Sequence, residues 1–105
     1  VPDPLFIPND LVQLQRRRIT AETAVAQHIA AVDRFRREQY PAPEQTQERA
    51  RWSEEERTKL EELRAERDQL GRDVRQHPVM VQARIEGRFW TAWDALQAAA
   101  RDQAG

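Results

Sequence analysis

The sequence predicts an all-α fold, an antiparallel helical hairpin or three-helix bundle with coiled-coil character and an extended proline-rich N-terminus. Three observations carry this. Apolar residues recur at spacings of three and four through three long segments. The prolines stand at positions 2, 4, 8, 41, 43 and 78, where they punctuate those segments rather than interrupt them. Ser53-Glu54-Glu55-Glu56 has the form of a capping box that starts a helix. Residues 1–105 are expected to form a single helical domain.

The opening residues 1–9, VPDPLFIPN, should run as an extended arm, because proline fixes φ and removes an N–H donor. Leu5, Phe6 and Ile7 are too apolar for a free tail and are expected to lie on the helices that follow. Asn9 or Asp10 then offers an N-cap, and Leu11, Leu14, Ala21, Val25, Ile29, Val32 and Phe35 mark a first helix over 10–39. Arg18 falls on the same stripe and Thr20 can cap a new start, so a break near residues 19–20 is the alternative. Tyr40-Pro41-Ala42-Pro43 ends the helix, since proline disfavours the α conformation in the residue before it.

Residues 41–52 read as a polar connector whose later half can be helical. In the second helix, 53–76, the Ser53 hydroxyl and the Glu56 carboxylate each accept from the other's backbone N–H. Leu60, Leu63, Leu70 and Val74 form a narrow seam with Arg67 in the intervening heptad slot, while Glu55–Lys59 and Asp68–Arg72 pair four apart on the outside. After His77, Pro78 suits a first helical position and opens a third helix over 78–102. Gly71 and Gly87 sit inside helical patterns, each costing about 1 kcal/mol relative to alanine, which points to a close approach or a bend.

In the third helix the run GRFWTAWDAL places Phe89, Trp90 and Trp93 within five positions. At 100° per residue, Val81, Ile85, Phe89, Ala92, Trp93, Leu96 and Ala99 share one arc, and Trp90 widens it together with Val79 and Ala83. A face that wide needs more than one neighbour. Phe89 and Trp93 are expected in the core, whereas Trp90 suits core and subunit interface equally.

Composition closes off several chemistries. The chain has no cysteine, which excludes disulfides, thiolate metal sites and cysteine nucleophiles. His28 and His77 are the only histidines and have no partner ligands at metal-binding spacing, so no metal and no cofactor is expected. Ser53 is the only serine and is committed to a cap, the carboxylates of the second helix are interleaved with arginine, and no glycine-rich phosphate loop exists. The expectation is that the protein is not an enzyme. No apolar run has the length of a membrane span and the N-terminus lacks a signal-peptide pattern, so a cytoplasmic protein is expected. Sixteen arginines against the single Lys59 suggest a bacterial genome rich in GC.

Nucleic acid is the competing partner class. Arg16, Arg17, Arg18, Arg34, Arg36 and Arg37 leave the first helix net positive and could neutralise phosphates. The run ITAETAVAQHI resembles in residue type the first helix of a helix-turn-helix, but Ala30–Phe35 supplies no glycine-containing turn and continues the helix. Residues 53–102, a capped acidic helix, a His-Pro break and a second amphipathic helix, loosely resemble the C-terminal hairpin of the small helical YlbF/YmcA proteins. That likeness implies cysteine-held clusters and RNA-processing partners, and here there is no cysteine to carry the cluster. The sequence thus points to a helical protein-interaction module that self-associates as a dimer through Val32, Ile85, Phe89, Trp90, Trp93 and Leu96. A different, unidentified protein partner is the further possibility.

Overall fold

The structure, a computed structural model, describes residues 6–102. Among them lie five helices and no strand: α1 (Asn9–Gln39), α2 (Thr46–Ala50), α3 (Glu54–Gln76), α4 (Pro78–Ile85) and α5 (Phe89–Asp102). The fold is all-α. The described residues group into two compact units, one made of residues up to Thr20 with those from Asp68 onward, the other of Ala21–Arg67. The divisions fall beside Arg18 and Arg67, the two arginines that stand on the apolar stripes of their helices.

The first unit holds the denser core. Leu11, Val12, Val74, Met80, Ala83, Ala92 and Leu96 are buried together, with Ile7, Leu14, Val79, Phe89, Trp93 and Ala99 packed against them. At the start of α1 the Pro8 carbonyl accepts from the Leu11 and Val12 N–H groups, both at 3.1 Å, so Pro8 takes the cap position that the sequence suggested for Asn9 or Asp10. Of the apolar arm residues, Leu5 lies outside the described residues, Ile7 does pack on the core, and Phe6 is 78% exposed. Residues 1–4 of the arm also lie outside the described residues. α1 runs uninterrupted through Ile19 and Thr20, so the alternative break there is not taken.

The expected third helix over 78–102 is divided, and Gly87 is the reason. Gly87 has φ +71°, a left-handed conformation that side chains with a Cβ rarely adopt. Its N–H donates to the Arg84 carbonyl at 3.1 Å and the Arg88 N–H to the Ala83 carbonyl at 2.7 Å, the two bonds of a Schellman C-cap. Gly87 therefore ends α4 rather than interrupting a helix, and the Arg88 carbonyl starts α5 by accepting from Ala92 at 2.9 Å. The break also resets the phase of the apolar face. In α4 the buried residues are Met80 and Ala83, while Val81 and Ile85, placed by the continuous-helix reading on the buried arc, face outward. A Cβ at position 87 would meet nothing within 4 Å, so the penalty of Gly87→Ala is purely one of backbone conformation. It is expected to be about 1–2 kcal/mol, measured as a lower urea midpoint with unchanged slope.

His77 forms the other end of α4. Its Nδ1 accepts from the Val79 N–H at 3.1 Å, and its Nε2 lies 2.9 Å from Asp10 Oδ2. With Nδ1 accepting, Nε2 is the ring nitrogen that donates to the Asp10 carboxylate. His77 is thereby the N-cap of α4. The hydrogen bond from His77 holds the Asp10 carboxyl below its ordinary value.

In the second unit Ala21, Val25 and Val32 are buried along α1, and Leu60 and Leu63 of α3 are half-buried. The capping box forms as expected: Ser53 N–H donates to Glu56 Oε1 at 2.7 Å, and Glu56 N–H to Ser53 Oγ at 3.0 Å. The connector is more ordered than its composition suggests. Arg49 of α2 donates through Nη1 to the carbonyls of Tyr40 (2.7 Å) and Ala42 (2.6 Å) and through Nη2 to that of Pro43 (3.4 Å), which gathers the proline-rich turn around one guanidinium.

Candidate functional site

The aromatic run divides its work within the first unit. The α5 stripe reads as Phe89, Ala92, Trp93, Leu96 and Ala99, and its inner members Ala92 and Leu96 are fully buried. Phe89 and Trp93, one helical turn apart, stack with ring centroids 6.0 Å apart and planes inclined 21°. Two arginines cover the pair: the Arg84 guanidinium lies 5.0 Å from the Phe89 centroid and that of Arg18 5.4 Å from Trp93. Trp90 meets Phe89 edge-on at 5.1 Å and then projects outward, 72% exposed.

The six interface candidates therefore separate. Leu96 and Val32 are buried within the chain, Val32 in the second unit, so neither offers a surface. Phe89 and Trp93 are half-buried against the core cluster. Trp90 and Ile85 remain as large exposed apolar side chains, and Val81, one turn before Ile85 on α4, is exposed as well. α4 has apolar residues at Val79, Met80, Val81, Ala83 and Ile85, with Gln82 and Glu86 forming a polar flank. A shallow groove of about 280 Å³ runs along one flank of it, lined by Pro78, Val79, Gln82, Ala83 and Glu86. At its rim Gln82 Nε2 donates to Glu86 Oε1 at 3.0 Å.

The arginines of α1 do not form one basic surface. Arg16 Nε donates to the Ala100 carbonyl at 3.3 Å and Arg18 Nε to Gln15 Oε1 at 3.0 Å. Arg36 forms an ion pair with Glu56, and Arg37 Nε lies 3.1 Å from Asp33 Oδ2. Arg17 and Arg34 are exposed. Burial works to raise the Glu56 pKa, but the hydrogen bonds from Arg36 and Ser53 outweigh it and hold the carboxyl below its ordinary value. His28 reaches the Glu56 backbone carbonyl through Nε2 at 2.9 Å and packs against the Trp52 ring at 5.7 Å, edge to face. Among the described residues no three His, Cys, Asp or Glu side chains converge as a metal site would require, and no helix is long and apolar enough to cross a membrane.

One cluster had no signal in the sequence reading. Gln15 is 0% exposed and donates through Nε2 to Gln97 Oε1 at 2.8 Å, while its own Oε1 accepts from Arg18. These bonds fix both amide orientations, and Gln97 Nε2 and Arg16 Nη2 are left buried without a hydrogen-bond partner. A glutamine three positions before the stripe residue Arg18 reads as a solvated edge, and only the placement of Gln97 on the facing helix reveals the pair.

Comparison with models of known families, with curated proteins and with solved structures returns no match. The likeness of residues 53–102 to the YlbF/YmcA hairpin finds no support there.

Proposed function

We propose that this chain is a non-enzymatic helical interaction module that self-associates, two copies meeting through the outer face of α4 and the start of α5. The observation that carries the reading is the exposure of Trp90 and Ile85 beside a core that is complete without them. Large apolar side chains grouped on an otherwise charged surface mark contact sites, and tryptophan is the residue most often central to them. The net charge of −1 sets up no repulsion between copies. The proposal includes an antiparallel, coiled-coil-like run of α1 against α3. In the first unit this is supported by Asp10 meeting His77 and by Arg18 Cδ lying 3.9 Å from where a Cβ on Gly71 would stand. In the second it is supported by His28 and Arg36 both reaching Glu56.

Nucleic-acid binding is favoured less, because Arg16, Arg18 and Arg36 are engaged with groups of the same chain. Light scattering behind size exclusion, over a dilution series, tests the main reading. The chain is expected to run as a dimer and Trp90→Ala as a monomer with the same helical content. A parent chain that is monomeric throughout, or a Trp90→Ala variant that keeps the dimer mass, rules it out.

A further inference from the structure

The groove along α4 and the exposed indole of α5 lie on the same chain, so any second copy presents both. We propose that Trp90 of one copy seats in the groove formed by Pro78, Val79, Gln82, Ala83 and Glu86 of a second copy. This rests on the self-association reading and specifies where its central side chain goes.

Size is the first argument. The groove, at about 280 Å³, falls just below the roughly 300–1,000 Å³ typical of ligand pockets and is of the order of one large side chain. Chemistry is the second. Val79 and Ala83 supply an apolar floor, and the Gln82–Glu86 pair places a carboxylate acceptor at the rim. A buried indole needs just this combination, an apolar bed with one acceptor for its N–H. Charge is the third: Arg84 lies over the Phe89 ring that Trp90 touches, so a cation accompanies the indole toward a groove edged by Glu86, whose carboxylate within its own chain has Arg88 only at 3.9 Å. Finally, within its own chain α4 is covered along Met80, Ala83 and in part Val79, and the groove lies on the flank beside them. Seating the indole in this way covers the flank next to them.

The pairing is tested with two variants that disable opposite halves. Trp90→Ala removes the indole and leaves the groove, whereas Gln82→Arg fills the groove mouth and leaves the indole. Gln82 is exposed and arginine has comparable helix propensity, so the second variant keeps its fold, which circular dichroism verifies. Each variant alone is expected to raise the dimer dissociation constant at least about 100-fold. Mixed in equal amounts they regain one indole-in-groove contact and form a heterodimer, seen by light scattering and by pull-down through a tag on one of them. Loss of the dimer in Trp90→Ala but not in Gln82→Arg overturns the groove assignment and leaves self-association standing. A mixture with no heterodimer also overturns it. A Trp90→Ala chain that still dimerises overturns both readings together.

Discussion

Leu96→Ala is expected to lower the unfolding free energy by about 2–5 kcal/mol, against a total of about 5–15 kcal/mol for a native domain. Leu96 is fully buried and shares its cluster with Leu11, Val12, Val74, Met80 and Ala92, so α1, α3, α4 and α5 all lose contacts when its side chain is shortened. Several of these neighbours are alanine or valine, which have little side chain to move into the space, and this places the cost in the upper part of the range. Equilibrium urea unfolding followed by far-UV circular dichroism gives the number. The same experiment distinguishes core from interface: a core residue lowers stability equally at every protein concentration, while an interface residue does so through mass action. A loss below about 1 kcal/mol would mean that the space around Leu96 is not closely packed.

The second large effect concerns Gln15. Gln15→Leu takes the donor from Gln97 Oε1 and the acceptor from Arg18 Nε, in a place where Gln97 Nε2 already has no partner. A buried polar group left unmade costs about 1–3 kcal/mol, so the single variant should be clearly destabilised despite its greater apolarity. Gln15→Leu combined with Gln97→Leu removes the orphaned amide as well and is expected to recover most or all of that loss. The buried pair links α1 to α5 at one register only. The double variant should therefore pair its helices less uniquely, with broadened or doubled resonances in an amide NMR spectrum while melting close to the parent. Equal stability of parent and single variant would show that the pair contributes nothing net.

What was legible in the sequence was local. The Ser53–Glu56 capping box was readable because all four atoms belong to residues three apart, and the α5 stripe because burial there follows a single uninterrupted period. The α4–α5 break was hidden in a glycine that propensity alone treats as a costly helix interior. The alternative reading, a C-cap followed by a fresh start, requires the φ of Gly87 to be known. Once the phase was carried across that glycine, Val81 and Ile85 went to the wrong face and Met80 was overlooked. The partners of the α1 arginines were illegible for a different reason. Arg36 finds Glu56 and Arg16 finds the Ala100 carbonyl across 20 and 84 positions of chain, and no periodicity within α1 distinguishes an arginine with such a partner from one facing water.

The clasp at Arg49 gives the connector an unusual character. Its guanidinium acts as a chelator toward the Tyr40, Ala42 and Pro43 carbonyls, with peptide oxygens in the place of ligand atoms. Chelates release all their arms when the centre is lost, because each arm is held cheaply only while the others are held too. Losing the guanidinium would free three carbonyls at once and leave the turn with the bonds between Ala42 and Gln45 and between Thr46 and Pro43. A lysine at 49, with a single ammonium in place of the planar fork, could hold one of those oxygens well but not the set.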